Sequence, residues 1–177
     1  MGLLKRGIHN AKQLTLEQRT EQLETVNHDV ANVLGIREEI LKRVKVRFEK
    51  AGDDISFDDA TGALRLGSNI LFKEGSAQLS SEGGATLERV IPVYYEALLG
   101  DERLRKHVDQ IIFEGHTNSN YSDDESEERA YLYNLQLSQK RAYSAMEHII
   151  RNNVGASYDA HKILAANGYS SSRLILV

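Results

Sequence analysis

The chain has 177 residues, 41% of them hydrophobic and 27% charged, enough for one ordinary domain with a real core plus an extension. Its formal net charge of −4 argues against a general nucleic-acid binder, which needs a basic surface to release counterions. The absence of cysteine removes disulfides and thiolate metal sites.

In chain order, the start Met1-Gly2-Leu3-Leu4-Lys5-Arg6 lacks the apolar core of a secretory signal. No run approaches the roughly 18 apolar residues of a membrane helix. Residues 1–12 show no clear period and are expected to be loose. Residues 13–50 read as an amphipathic helix, with Leu23, Val26, Val30, Val33, Ile40, Val44 and Phe48 recurring at steps of three and four, apart from Arg37, which takes one expected slot. Such a helix either lies on its own domain or serves as a dimerising or membrane-proximal linker. Ile55–Phe57 and Ala63–Leu66 alternate around turn residues and predict a hairpin. Ser80 or Ser81 is an N-cap for a helix with Leu87, Val90, Ile91, Tyr94, Tyr95 and Leu98 on its apolar face. Pro92 is expected to kink that helix or open a new first turn, and Gly100 ends it. Val108–Glu114 reads as a strand, and Ile111-Ile112-Phe113 suggests burial on both faces. A helix over 127–152 has Leu135, Leu137, Ala142, Ala145, Met146, Ile149 and Ile150 on its buried side. A strand over 162–166, a turn at Asn167-Gly168 and an apolar stub at 174–177 complete the pattern. Strands alternating with helices indicate α/β or α+β layering, with helices on one side of a small sheet.

The chemistry concentrates where the strand before Glu114-Gly115-His116-Thr117-Asn118 meets Asn134-x-x-Leu137-Ser138-x-x-Arg141-Ala142. Helical spacing puts Asn134 and Arg141 near one face, so that one ligand can meet both. The planar fork of an arginine suits a carboxylate. Ser138 can bond back to its helix or to a nearby turn, while Leu137 and Ala142 pack inwards and fix the helix.

Two spaced motifs in this order resemble the OmpA-like peptidoglycan-binding domain shared by OmpA-type and MotB-type proteins. Phe72, Gly75-Ser76-x-x-Leu79 and Gly168-Tyr169 extend the match over about residues 54–175. The resemblance implies an α+β βαβαβ layered sandwich. It has a small mixed sheet with helices packed on one face, and an amphipathic N-terminal helix precedes it. Residues 1–50 would be the linker helix and 51–177 the binding domain, its C-terminal end incomplete beside the family's usual basic segment and last strand. In the family the domain binds the peptidoglycan stem peptide without a covalent bond: an aspartate holds the amino group of diaminopimelate and a helix arginine holds its carboxylate. The corresponding positions are Asn118 and Arg141, in a site of Thr117, Asn118, Asn134, Leu137, Ser138 and Arg141. Asn118 departs from the pattern. It can accept from an ammonium group but adds no charge, and a neutral hydrogen bond is worth about half the roughly 1.5–3 kcal/mol of a charged one. Asp123, Asp124, Glu125, Glu127 and Glu128 could supply the missing carboxylate or form a solvated acidic loop.

Within the family, Leu71-Phe72, Ile91-Pro92-Val93-Tyr94 and Tyr131–Gln139 look closer to MotB-type and ZorB-type stator subunits than to OmpA. That likeness implies a periplasmic domain anchored to a membrane by an upstream segment absent from this chain. It also implies a homodimer and a multi-span channel partner, and the role of tying a membrane protein or stator-like complex to the cell wall. The alternative is a structural or protein-interaction domain of the same fold that has lost wall binding. No catalytic residue, metal or cofactor is expected. His116 beside Glu114 has no nucleophile or orienting third group, and a histidine at a strand end commonly donates to a backbone carbonyl. His107, His116, His148 and His161 lack metal-ligand spacing.

Overall fold

The computed structural model describes residues 2–48, 55–58, 61–117 and 126–171. Two compact units divide the chain, Met1–Glu39 and Ile40–Val177. Helix α1 runs over Gly2–Phe48. Residues 2–12, expected to be loose, are therefore helical. The segment contains no proline and several good helix formers, and a helix does not need an apolar period to form. In the first unit the apolar stripe is open to solvent, with Leu23 63% and Val30 52% exposed. In the second unit, Val44 and Phe48 are buried in the core.

Strands β1 (Ile55–Phe57) and β2 (Leu64–Leu66) form the expected antiparallel hairpin, with Ile55 opposite Leu66 and Phe57 opposite Leu64. Asp58 shapes its turn by accepting from the Gly62 and Thr61 N–H groups. Ile55, Phe57, Leu64 and Leu66 lean on the core, and the Tyr94 hydroxyl donates to the Gly62 carbonyl.

The short helix α2 (Ser68–Leu71) leads into helix α3 (Ser81–Leu99). Ser80 is the N-cap. Its hydroxyl accepts from Gly83 N–H at 2.8 Å and donates to the Ile70 carbonyl at 2.8 Å, fixing the start of α3 onto α2. The helix continues unbroken through Pro92 and closes at Gly100, whose N–H donates to the Glu96 carbonyl. Leu87, Val90, Ile91, Tyr95 and Leu98 are buried, and with Phe72, Ile111 and Ile149 they make the core. Helix α4 (Glu102–Arg105) is one capped turn. Its cap, Asp101, accepts from Arg103 N–H and from Arg43 at 2.9 Å.

Strands β3 (Ile111–Gly115) and β4 (Leu164–Gly168) run parallel, pairing Ile111 with Leu164 and Gly115 with Gly168. Helix α5 (Glu127–Arg151) crosses both, and α3 packs beside α5. Two 3₁₀ turns, Ala156–Tyr158 and Ala160–Ile163, join α5 to β4. This is the α+β layering expected, with the strands of the described residues paired as two two-stranded sheets. The hairpin strands are three residues long and reach the core through side chains.

Two sequence expectations need correction here. Burial of β3 on both faces does not hold: Ile111 is 8% exposed and Ile112 42%, because α5 covers one face only. Asn167-Gly168 is not a turn but the end of β4. The stub at 174–177 lies outside the described residues.

Candidate functional site

The C-terminal ends of β3 and β4 form a tip beneath the first half of α5. The parallel ladder continues past the strands: Tyr169 N–H donates to the Gly115 carbonyl at 3.0 Å and Thr117 N–H to the Ser170 carbonyl at 3.1 Å. Helix α5 comes very close to this tip. A Cβ at Gly115 would run into the Ser138 carbonyl, and one at Gly168 into the Gln139 backbone nitrogen. Glycine is required at both places by the approach of another backbone.

That approach explains why the buried face of α5 differs from the large-apolar face read from the sequence. The buried residues are Ala130, Asn134, Ser138, Ala142, Ala145 and Ile149, mostly small and spaced by four. Leu135 and Leu137 are only half-buried, and Ile150 is 44% exposed. A wide apolar face would hold the helix too far from the strands.

Ser138 is completely buried. Its hydroxyl donates to the Leu135 carbonyl at 2.9 Å and accepts from Ser170 N–H at 3.0 Å. Ser170 Oγ in turn donates to the Tyr131 carbonyl, and the Gln139 side chain bridges β4 by donating to Ala166 O and accepting from Gly168 N–H. Ser170, Gln139 and the two glycines were not recognisable as site-building residues from local spacing, because their partners lie far away in the chain, 27 residues for Gln139 and 32 for Ser170.

Arg141 lies one helical turn beyond Ser138 and is half-buried. Its Nε–H donates to the Ser76 carbonyl at 2.9 Å, and its guanidinium carbon lies 5.3 Å from the centre of the Phe72 ring. Burial pulls its pKa down from the ordinary value, with Tyr133 acting in the opposite direction. A guanidinium remains a cation at neutral pH all the same. Among the described residues no carboxylate pairs with it.

At the tip, His116 stacks on Tyr169 with ring centres 5.5 Å apart and planes 15° apart. Its Nε2 is 3.4 Å from Glu114, the neighbour that strand alternation places on the same face. Among the described residues the expected bond from His116 to a backbone carbonyl is absent. Its Nδ1 is buried without a partner, because stacking on Tyr169 fixes the ring plane instead. The Thr117 hydroxyl is likewise buried, with no partner among the described residues. Buried polar atoms of this kind call for an explanation, such as a water or ligand group.

The structure thus joins Thr117 to Ser138 through Ser170, and buries Asn134 to 7% exposure on the same helix face. Arg141 is fixed against the turn that follows Phe72. Asn118, Asp123, Asp124 and Glu125 lie outside the described residues, while Glu127 and Glu128 are exposed in the first turn of α5. Among the described residues no group of three metal-ligating side chains is placed to hold an ion, and no helix is long and apolar enough to cross a membrane.

No family model matches the chain. In sequence it is 29% identical over 126 residues to the Zorya protein ZorB of Escherichia coli, a match covering 70% of this chain and 52% of that protein. The chain therefore spans about half the length of its curated relative. In fold it is similar to a MotB-like protein from Desulfovibrio vulgaris, with a TM-score of 0.53 at 14% identity over 79% of this chain and 78% of that one. The cell wall anchor of the T6SS from Pseudomonas aeruginosa aligns at 22% identity with a TM-score of 0.48, covering 77% of this chain and 83% of that one. The hairpin, the paired parallel strands and the two packed helices give this chain an α+β fold similar to that of the MotB-like protein, and its sequence is similar to that of ZorB.

Proposed function

We propose that the domain binds the peptide stem of peptidoglycan without a covalent bond, and so ties a membrane protein or stator-like complex to the cell wall. The carrying observation is Arg141: a half-buried cation, held by the Ser76 carbonyl and the Phe72 ring, with no carboxylate partner among the described residues. A buried cation left without an anion is costly, and an incoming carboxylate would relieve that cost with two parallel charge-assisted bonds. The carboxylate of diaminopimelate is the ligand that the family resemblance implies. The Thr117 N–H, bonded to the Ser170 carbonyl, holds the tip in place for the same stem peptide. In this reading Asn134, Leu137 and Ser138 position the helix, and Asn118 receives the amino group. The domain works in the periplasm as a non-enzymatic anchor, beside a second copy of itself. A membrane segment upstream joins it to a multi-span channel partner.

Sedimentation with purified sacculi tests the anchor. The wild-type domain should co-sediment, and Arg141→Ala should stay in the supernatant with an unchanged circular-dichroism spectrum. Equal sedimentation of the two proteins rejects Arg141 as the anchor. One observation favours a second reading, a domain of this fold without wall binding: Asn118 stands where the family has a charged aspartate. Asn118→Asp should tighten binding about tenfold if the missing charge limits it. Failure of both the wild type and Asn118→Asp to sediment would favour the second reading.

A further inference from the structure

Resting on the reading of Arg141 as a carboxylate anchor, we propose that the turn between Phe72 and Leu79 is the positioning device of that anchor, leaving its guanidinium a single docking edge. Phe72 and Leu79 face each other in an isolated antiparallel bridge. Between them the chain reverses, with Ser76 N–H donating to the Lys73 carbonyl at 3.1 Å. Ser76 Oγ accepts from Gln78 N–H at 2.9 Å, and Ser80 N–H closes the base of the turn on the Leu71 carbonyl at 2.9 Å. Gly75 adopts φ +64°, and a side chain added there would meet nothing within 4 Å. Its conformation, not crowding, is what calls for glycine. The Ser76 carbonyl is therefore held from both sides, at a point 65 residues from the arginine it engages.

A guanidinium can offer a carboxylate two parallel N–H groups along either of two edges. One edge combines Nε with a terminal nitrogen, and the other combines the two terminal nitrogens. The Ser76 carbonyl occupies Nε–H, and Phe72 covers one face of the plane. The edge that remains is the end-on pair of terminal nitrogens. The turn thus removes the rotational freedom of a long side chain before any ligand arrives, a cost that binding would otherwise have to meet. Phe72 and the turn touch no ligand themselves; they act through Arg141.

Two variants probe this without removing Arg141. Phe72→Leu keeps an apolar side chain in the core but loses the ring, and Gly75→Val strains an exposed turn away from the core. Two readouts are needed: the hydrogen-exchange protection of the Arg141 Nε–H by NMR, and the affinity for a diaminopimelate-containing stem tripeptide. In the wild type Nε–H should be protected. Both variants should release it and bind the tripeptide about tenfold more weakly, with folded spectra retained. Arg141→Lys, which keeps the charge but lacks the fork, should bind no better than Arg141→Ala. An unprotected Nε–H in the wild type, or variants that release it without weakening binding, would overturn the positioning role. Arg141→Lys at wild-type affinity would overturn the end-on edge. If Nε–H behaves as expected but the wild type binds neither tripeptide nor sacculi, the wall-binding reading fails and the positioning of Arg141 stands.

Discussion

Helices α3 and α5 bring the same helical period to opposite tasks. Beyond its first turn, where Gly83 and Gly84 are buried, α3 buries mainly Leu87, Val90, Ile91, Tyr95, Leu98 and Leu99, large side chains that fill the core. The buried face of α5 is Ala130, Asn134, Ser138, Ala142 and Ala145 before it reaches Ile149. The first helix supplies core volume. The second gives up volume to reach contact with Gly115 and Gly168, and carries Arg141 against the Ser76 turn. A helix that must hold an arginine against a distant turn gains from a short, rigid distance to its support more than from added hydrophobic burial.

The contrast makes opposite kinds of substitution damaging on the two helices. On α3 the largest effect should come from making a side chain smaller. Leu87→Ala should cost about 2–5 kcal/mol in urea denaturation, since its neighbours cannot close the space fully. At the α5 contact the damaging change is making a residue larger. Gly115→Ala should cost about 1–3 kcal/mol, or more where the backbone of α5 has to shift, and it should weaken sacculus binding because Arg141 shifts with the helix. A Gly115→Ala protein as stable as wild type would contradict the close contact. Ser138→Ala removes no volume to speak of but leaves the Ser170 N–H buried and unpaired, for about 1–3 kcal/mol.

The smallest effect should come from Tyr95→Phe on α3. The Tyr95 hydroxyl is buried with no partner, so its removal should leave stability unchanged at neutral pH or raise it by about 1 kcal/mol. Its sharper signature is in alkali. Burial pushes the Tyr95 pKa up to about 12 from its ordinary value of 10.0. The folded state therefore holds the proton more tightly than the unfolded state. The associated stability is fully present below pH 10 and is lost as pH rises through 12. Denaturation at pH 8 and pH 11 should show wild type losing more stability than Tyr95→Phe. Parallel losses in the two proteins would mean that Tyr95 ionises as freely in the folded state as in the unfolded one.

Much of the frame was legible from periodicity and turn chemistry. The hairpin, the Ser80 cap, both long helices in the second unit and the order of the paired strands follow from local patterns whose physical cause is also local. The site motifs were legible as spacing, and Ser138, read as bonding to its helix or to a nearby turn, does both. The face that α5 buries was misread because Leu135, Leu137 and Ile150 promise more hydrophobic burial than the small residues between them. That preference is overridden by the two glycines of β3 and β4, which set the helix-to-strand distance.

By itself, the sequence determined most of the helices and strands of the second unit, and that an arginine stands three residues after a serine in a helix that follows a glycine-ended strand. Those properties arise within a few residues of one another, where rotamer preference, capping and alternation act. Only the tertiary structure decided that Ser76 and Phe72 hold Arg141, that Ser170 consumes the Ser138 hydroxyl, and that His116 stacks on Tyr169. Each of these joins residues separated by 32 to 69 positions, and such contacts exist only once the layers have packed to a particular distance.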